Sequence, residues 1–388
     1  MSINYDWIVI GAGITGSALA YELSKKQLKV LLLEKDTIAD NATAYSYGGL
    51  AYWSGTTELT RKLGQEGIQL HRKLSAELGT DTEFRELDLL LTVDPDANPE
   101  KVAENYTDFA IQPDILDIKQ ACELEPLLNP HSISGALRLP HGHIHAQKTT
   151  IAYQQAFLRQ GGNIIYERVT NLLREKDSIT GVVTDKNTYY SSNTVVCAGG
   201  LSRRLLTDAG IPNSVYFTHS LVIKTAPTDI KLNTIVMPAV LERFALEAQA
   251  EELIKDTAWE DEQNNSRQSI LDAGAVQFLD GSLFLGQISA VITNPETQLD
   301  KRQGENSIRQ KISTILPMLS NLPGTCESCL VAFTNREVAV VGKVKDMVGI
   351  YLFNGFTSTL VFAPPLAKHF ADWVVGKKSE IMEMLNVK

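Results

Sequence analysis

The feature that most constrains this chain is a glycine-rich turn that begins at residue 11. The hexapeptide Gly11-Ala12-Gly13-Ile14-Thr15-Gly16 follows an apolar run from Tyr5 to Ile10, which predicts a buried strand. The segment from Gly16 to Lys26 predicts a helix, and the apolar run from Lys29 to Leu33 predicts a second buried strand. Strand, glycine turn, helix and strand in this order indicate a βαβ unit.

Each glycine of this turn has its own use in the G-x-G-x-x-G pattern. Gly11 permits a tight turn, Gly13 lets the backbone approach a pyrophosphate, and Gly16 lets the helix pack on the strand. The helix N-terminus offers free N–H groups and the positive end of its dipole. We therefore expect the turn, including Ile14 and Thr15, to bind the phosphates of a dinucleotide.

An acidic residue ends the second predicted strand. Glu34 stands 23 residues after Gly11, where a carboxylate accepts hydrogen bonds from ribose hydroxyls and repels a 2′-phosphate. Glu34 and its neighbour Lys35 are therefore predicted cofactor contacts. Because the unit begins at residue 5 and no second G-x-G-x-x-G follows, FAD is favoured, with a nicotinamide cofactor in the same layout as the alternative.

Charge and composition exclude several classes of function. The net charge of −10 argues against a nucleic-acid partner, because phosphate binding needs a basic face. No segment has the pattern of a signal peptide or a membrane span; the uncharged stretch from Val348 to Ala367 is interrupted by Gly and Pro. The stretch from Val348 to Ala367 instead predicts a buried strand, a turn and a final helix that begins at Pro365. The four cysteines are too few for a disulfide framework, so a reducing cytoplasm is expected.

The order of predicted elements indicates an α/β fold with two domains. Alternating strands and helices at both chain ends predict one parallel sheet built from distant segments, while the middle predicts a more antiparallel unit. The expected dinucleotide-binding domain comprises residues 1–85, 145–215 and 335–388, and the substrate domain comprises residues 86–144 and 216–334. An acidic stretch from Glu242 to Asn265 predicts a helical or mobile insertion.

Four stretches, taken in order, resemble one family over nearly the whole chain. They are Asp6–Asp36, the ATAYSYGG segment Ala42–Gly49, the segment from Gly142 through NTVVCAGGLS to Ser202, and EVAVVG followed by GIYLFNGFTSTLVFAPPLAK near the C-terminus. Their order and spacing resemble the D-amino-acid oxidase superfamily, which includes glycine oxidase, sarcosine oxidase and D-amino-acid dehydrogenases.

The resemblance implies a Rossmann-type FAD-binding domain with a second, mostly antiparallel β-sheet substrate domain. It also implies an FAD-dependent oxidase or dehydrogenase that takes a hydride from a small amine, amino acid or hydroxy acid and passes electrons to oxygen or another acceptor. The further flavin contacts that it implies are Thr43, Ala44, Ser46, Gly48, Gly49, Val169, Ala198, Gly199, Gly355, Phe356, Thr357, Ser358 and Thr359.

The substrate motifs depart from the family pattern. Relatives similar to glycine oxidase carry an Arg three residues before the Thr of a T-x-D element, where this chain has Val331 before Thr334. Sarcosine oxidases use a Lys in the C-terminal turn, where this chain has Thr357. A simple α-amino acid is therefore a doubtful substrate, and a flavoprotein that has lost catalysis and serves as a binding or assembly factor is the alternative.

A cysteine in the same segment resembles one that binds flavin covalently in sarcosine oxidases. Cys329 lies five residues before Thr334, and a shift of three residues in the alignment would give Cys326 the same role. The alternative for Cys329 is a small buried side chain without redox function.

Three residues are candidates for the substrate side. His219 is expected in a loop from Phe217 to Ser220 and is a candidate base for the amine proton, and Tyr52 follows the Gly48-Gly49 turn. Arg336 either replaces the missing carboxylate clamp or pairs with a nearby acid. For His219 and Tyr52 the alternative is an ordinary structural contact.

Three histidines alternate along the chain just before the helix expected from Thr149. His141, His143 and His145 would share one face of a strand, so they could hold a metal, although a structural role is favoured because no carboxylate or Cys stands near them.

Overall fold

A computed structural model describes residues 4–240, 246 and 268–386. The segment from Glu242 to Asn265, for which the sequence predicts an insertion, lies outside these residues apart from Leu246. Within the described part of the chain the strands form one sheet of eight and one of nine strands.

The first sheet gathers strands from both ends and the middle of the chain. Its strands are β1 (Asn4–Ile10), β2 (Val30–Glu34), β7 (Asn163–Tyr166), β8 (Val169–Glu175), β9 (Ser178–Thr184), β10 (Thr188–Val196), β16 (Val340–Lys343) and β17 (Ile350–Asn354). The order is β16-β17-β10-β1-β2-β7, and β17, β10, β1, β2 and β7 run parallel. The parallel core of distant segments that the sequence predicts is thus present.

Helices cover this sheet because its central strands are apolar on both faces. Those that pack on one face are α1 (Ile14–Ser24), α2 (Glu58–Leu78), α5 (Ala146–Arg159) and α8 (Thr359–Val374), with α9 (Glu380–Asn386) beside α8. The other face is covered by α6 (Ser202–Asp208) and by β8 and β9. Trp7 and Val9 of β1 point to the first face, and Ile8 and Ile10 point to the second.

The second sheet is mostly antiparallel. Its strands are β3 (Gly49–Leu50), β4 (Arg85–Val93), β5 (Asp114–Leu116), β6 (Gly135–His143), β11 (Tyr216–Thr225), β12 (Ile235–Pro238), β13 (Gln268–Gln277), β14 (Leu283–Val291) and β15 (Gly324–Phe333). The order is β15-β11-β14-β13-β12-β4-β6-β3, and β5 pairs with β6. The fold class is therefore the predicted one, while the domain boundaries stay a prediction; β3, at residues 49–50, joins the second sheet.

The two faces of the second sheet have different neighbours. One face packs on α4 (Ile118–Leu124) and α7 (Lys301–Ile315), while α3 (Pro99–Glu104) lies near β5 and β6. We call this face the outer face; Leu221 and Ile223 belong to it. The opposite face, which we call the inner face, carries Val222 and Phe284 and packs against the segment from Tyr45 to Trp53.

Two expectations about helices are wrong in detail. The C-terminal helix does not open at Pro365: α8 begins at Thr359 and contains Pro364 and Pro365, and α9 follows it. The helix predicted from Thr149 begins at Ala146, where His145 accepts a hydrogen bond from the Lys148 amide and caps it.

Candidate functional site

The glycine turn forms the cradle that a pyrophosphate needs. Gly11 has φ +97°, and a Cβ there would lie 2.7 Å from the carbonyl oxygen of Cys197. A Cβ on Gly16 would lie 1.9 Å from the carbonyl oxygen of Gly11, so only glycine allows α1 to pack this closely on the turn. Gly13 is the N-cap of α1 and has no side chain that would fill the space before the helix. The three glycines therefore bring backbone without side chains to the N-terminus of α1, as a pyrophosphate site requires.

Glu34 closes one side of this cradle. Its Oε2 accepts a hydrogen bond of 2.7 Å from the Ala12 amide, and its Oε1 accepts one of 2.9 Å from the amide of Lys35. These bonds fix the carboxylate at the end of β2, beside the cradle. The Lys35 side chain itself pairs with Asp36. That Glu34 holds the ribose stays a prediction.

The segment Ala42–Gly49 connects the cradle with the inner face. Thr43 Oγ1 accepts a hydrogen bond of 3.2 Å from the Ile14 amide at the start of α1. Further along, Ser46 Oγ accepts one from the Gly48 amide, and Gly49 pairs with His143 of β6. Gly48 has φ +76°, and a Cβ there would lie 1.9 Å from the Ile144 carbonyl oxygen. A ligand that extends from the cradle toward the second sheet would therefore pass along this segment, including Ala44.

The turn that follows β17, near the C-terminus, lies against the predicted flavin contacts Ala198 and Gly199. Asn354 Nδ2 donates a hydrogen bond of 2.8 Å to the Gly199 carbonyl, which ties the end of β17 to the Ala198-Gly199 turn after β10. Gly355 has φ +71°, and the Thr357 amide donates to the Val338 carbonyl at 3.0 Å. The turn from Phe356 to Ser358 leads into α8, whose first residue is Thr359.

Val169 follows closely on β7, whose last residue, Tyr166, pairs with Glu34. It is the first residue of β8, it pairs with Thr184 of β9, and it packs against the core on the α6 side of the first sheet. Its predicted contact with the adenine end of the cofactor stays a prediction.

His219 lies in a strand rather than in the expected loop. It is in the middle of β11, between Ala290 of β14 and Leu330 of β15, because Tyr216–Thr225 forms one continuous strand. Alternation along β11 gives it the same outer face as Leu221. Its Nε2 lies 3.0 Å from the carbonyl oxygen of Asn294, and burial lowers its pKa although this hydrogen bond opposes the shift. Its role as a base stays a prediction that this position does not favour.

Tyr52 and its neighbour Trp53 point in different directions. Tyr52 packs against the core of the first sheet, and burial raises the pKa of its phenol, with the charge of Glu86 adding to the rise. Trp53 packs against the inner face, where its Nε1 donates a hydrogen bond of 3.0 Å to Nδ1 of His141. Trp53, rather than the predicted Tyr52, therefore lies on the inner face.

Arg336 lines a cavity of about 640 Å³ that also touches Ser214, Val338 and Met384. Its side chain is exposed, and its amide donates to Thr334 Oγ1 at 3.4 Å. This cavity lies beside the Thr357–Val338 contact. Its predicted role toward a substrate carboxylate stays a prediction.

The two nearby cysteines lie on opposite faces of β15. Cys329 pairs with Ser220 and is close enough to Asp40 for that charge, together with the larger effect of burial, to raise the pKa of its thiol to about 12. Cys326 pairs with Ile223 and packs in the outer-face core, where burial raises the pKa of its thiol to about 11. Of the two, Cys329 faces the Ala42–Gly49 side.

The three histidines do not form a metal site. His141 and His143 belong to β6 and point to the inner face, but His145 lies beyond the strand and caps α5. Burial lowers the pKa of His141 and of His143 to about 3, so both are neutral near pH 7. In the described part of the chain no group of three or more His, Cys, Asp or Glu side chains is arranged to hold a metal.

The inner face carries two hydroxyls that the sequence analysis did not single out. Tyr47 lies inside the ATAYSYGG segment, and Ser220 follows His219 in β11. The Tyr47 hydroxyl and Ser220 Oγ are buried and have no hydrogen-bond partner. Alternation within β11 would have assigned Ser220 to the face opposite His219, but only the structure shows which face meets the Ala42–Gly49 segment.

These residues fit FAD. The cradle at Gly11–Gly16 suits a pyrophosphate, the Ala42–Gly49 segment leads from it to the inner face, and the unpartnered hydroxyls lie at that end. None of the helices in residues 4–240 and 268–386 combines the length and the apolar character that crossing a bilayer requires.

Comparison with known proteins agrees with this geometry. Glycine oxidase from Geobacillus kaustophilus has the same fold, with a TM-score of 0.79 at 19% identity over 97% of this chain and 96% of that one. The chain is 24% identical to 4-methylaminobutanoate oxidase (formaldehyde-forming) of Paenarthrobacter nicotinovorans over 95% of its own length and 43% of that protein. It is 28% identical to monomeric sarcosine oxidase of Streptomyces avermitilis over 55% of this chain and 57% of that one.

The chain thus spans about half the length of these two curated relatives. The family described as FAD dependent oxidoreductase, DAO, matches residues 6–373, which is almost the whole chain. The match includes the glycine cradle, the Ala42–Gly49 segment and the C-terminal turn. This chain belongs to the DAO family of FAD-dependent oxidoreductases.

Proposed function

We propose that this protein is an oxidase or dehydrogenase that acts on a C–H bond beside the nitrogen of a small amine or amino acid. The observation that carries the proposal is the position of the Ala42–Gly49 segment, which contacts the start of α1 through Thr43 and carries Tyr47 to the inner face, where buried hydroxyls lack partners. The names of two similar proteins, 4-methylaminobutanoate oxidase and sarcosine oxidase, support an amine as the donor.

Bound FAD supplies the acceptor for a hydride, which leaves the carbon as the amine loses a proton and becomes an imine. The chain's residues bind and orient. Backbone groups at Gly11–Gly16 hold the pyrophosphate, and Glu34 holds the ribose. The N-terminus of α8 places a positive dipole end at the turn from Phe356 to Ser358. The inner face excludes water through Trp53, Leu139 and Phe284.

We further propose that oxygen or another acceptor takes the electrons from the reduced flavin and that the protein works in the cytoplasm. A donor with a C–H bond beside a hydroxyl, such as a hydroxy acid, is the alternative. It is supported by 27% identity over 66% of this chain to the glycerol 3-phosphate dehydrogenase of Caloramator mitchellensis.

An anaerobic screen tests the proposal. The FAD-loaded protein is mixed without oxygen with primary, secondary and tertiary amines, amino acids and hydroxy acids, and the visible flavin absorbance is followed. Bleaching by one or more amines is expected. Bleaching by hydroxy acids alone, or by none of these compounds, would contradict an amine donor, provided that dithionite bleaches the same sample.

A second candidate is a protein that has lost catalysis and serves as a binding or assembly factor. It is favoured by Val331 and Thr357, which stand where relatives carry the Arg or Lys that binds a substrate carboxylate. It is also favoured by 28% identity, over 58% of this chain, to the mouse pyruvate dehydrogenase phosphatase regulatory subunit. Such a protein would bind FAD, would be bleached by dithionite, and would remain oxidised with every donor of the screen.

A further inference from the structure

Two buried hydroxyls of the inner face lack hydrogen-bond partners. Ser220 is 4% exposed, and neither its Oγ nor the Tyr47 hydroxyl oxygen meets a donor or acceptor. Most buried polar side-chain atoms in folded proteins are hydrogen-bonded, because leaving one unpaired forfeits its hydration without replacement. An unpaired hydroxyl that faces a ligand-binding space is therefore a candidate ligand contact.

The two hydroxyls belong to different elements that meet at the inner face of the second sheet. Ser220 belongs to β11 and pairs with Ser289 of β14 and Cys329 of β15. Because Leu221 and Ile223 of the same strand belong to the outer face, alternation points Ser220 to the inner face. Tyr47 belongs to the segment that covers this face, and its ring lies 6.5 Å from that of Phe284. One hydroxyl thus comes from the sheet and the other from the segment that leads to the FAD cradle.

Both groups are neutral in the accessible pH range. Burial raises the pKa of Tyr47 well above that of a free tyrosine, and the charge of Asp272 adds to the rise. A neutral hydroxyl can accept hydrogen bonds through its oxygen and donate one. Amine N–H groups need acceptor oxygens, whereas the cradle offers backbone N–H donors to the phosphates.

We propose that the hydroxyl oxygens of Tyr47 and Ser220 bind the substrate's amine by accepting hydrogen bonds from its N–H groups. The inference rests on the proposed function and assigns its substrate contacts. An N–H donates more strongly as positive charge develops on nitrogen during hydride loss, so these bonds strengthen in the transition state. Tyr47 and Ser220 then act on kcat as well as on KM.

Two unreactive amines serve as probes of the site. Neither tert-butylamine nor 2-aminoisobutyrate has a hydrogen on the carbon beside nitrogen, so neither can lose a hydride there. The second probe carries a carboxylate that the first lacks. Calorimetric titration of the FAD-loaded protein gives their affinities without turnover, and FAD content is measured on the same samples.

The variants Tyr47→Phe and Ser220→Ala each remove one hydroxyl and little volume. The matched control is Ser134→Ala, since Ser134 also has a buried, unpartnered hydroxyl but lies just before β6, at the opposite end of that strand from the pairing with Gly49. Each test variant is expected to bind tert-butylamine about tenfold more weakly with unchanged FAD content, and the control is expected to match the parent. For the amine that bleaches the flavin best, both variants should lower kcat and raise KM.

Unchanged probe affinity and unchanged kinetics in both variants would overturn the inference while leaving the proposed function intact. Loss of FAD with unchanged probe affinity would assign the hydroxyls to the cofactor and would also overturn it. A parent that binds neither probe and is bleached by no amine would contradict the proposed function itself, and the inference with it.

Discussion

His71 replaces a hydrogen-bond donor that Pro364 lacks. In a regular helix the residue at position 364 would donate its N–H to the carbonyl of Leu360, but proline has none. His71 of α2 instead places Nε2 2.8 Å from that carbonyl oxygen, so Nε2 carries the proton. Next to it, a Cβ on Gly67 would lie 2.1 Å from the Val361 carbonyl oxygen, which shows how closely α2 approaches the carbonyls that the two prolines leave open.

The first prediction concerns this replacement. His71→Leu should destabilise the FAD-loaded protein by about 1–3 kcal/mol, because the Leu360 carbonyl would be buried without a donor. His71→Gln keeps an N–H donor of similar reach and should lose less. Urea denaturation measures both. Equal losses for the two variants would show that packing, rather than the hydrogen bond, sets the effect.

The second prediction is a pH dependence with a defined sign. Burial lowers the pKa of His71 to about 4, while the unfolded chain has an ordinary value near 6.5. Between these values the unfolded state binds the proton and the folded state does not. His71 therefore contributes full stability above about pH 6.5 and loses it as the pH falls toward 4, by on the order of 3 kcal/mol. His71→Gln should show a shallower fall over this range, and parallel curves for parent and variant would contradict the assignment.

The parts of this protein that follow from local sequence were predictable, and those that depend on sheet register were not. The βαβ unit, with the glycine turn before α1 and Glu34 at the end of β2, lies where predicted because such a unit is fixed within about thirty residues of chain. The sequence did not predict that α8 continues through Pro364 and Pro365, because His71, which supplies the donor that Pro364 lacks, is remote in sequence. His219 was predicted as a site residue and Ser220 was not. Which of these two side chains points to the inner face depends on the pairing of β11 with β14 and β15.

The third prediction concerns the carboxylate beside the cradle. Glu34→Ala should weaken FAD binding by about 1–3 kcal/mol, because ribose hydroxyls would lose their acceptor and the Ala12 amide would lose its own. Glu34→Gln keeps an acceptor oxygen and should weaken binding less. Titration of the apoprotein with FAD, followed by flavin fluorescence, measures both. If Glu34→Ala binds FAD as tightly as the parent, the ribose lies elsewhere.

The fourth prediction concerns amino acids without further functional groups. Glycine, D-alanine and sarcosine should be turned over at least about a thousandfold less efficiently in kcat/KM than the best amine, because a buried carboxylate without a cation is strongly disfavoured. Val331, opposite Thr218 on β11, stands where relatives similar to glycine oxidase carry an Arg. Val331→Arg should narrow this gap.

Efficient turnover of any of the three amino acids by the parent would show that another cation binds the carboxylate. Arg336 would then be the first candidate. Arg336→Ala should raise KM sharply in that case, and an unchanged KM would exclude it.

The last prediction is that FAD becomes covalently attached through Cys329. The register of β15 places Cys329 opposite Ser220 on the inner face and Cys326 opposite Ile223 on the outer face, so only Cys329 faces the Ala42–Gly49 side. A thioether between Cys329 Sγ and the methyl carbon at the benzene edge of the flavin would form with loss of the thiol proton, one methyl proton and two electrons, which the enzyme's electron acceptor would take up. Burial raises the pKa of this thiol to about 12, so little thiolate exists at neutral pH and attachment should be slow. The rate of attachment should rise about tenfold per pH unit between pH 8 and 10.

Acid precipitation after incubation with FAD separates bound from free flavin. Yellow colour should stay in the pellet of the parent and of Cys326→Ser, and leave the pellet of Cys329→Ser. Flavin found wholly in the supernatant of the parent at every pH would exclude the bond and leave Cys329 as a small buried side chain of β15.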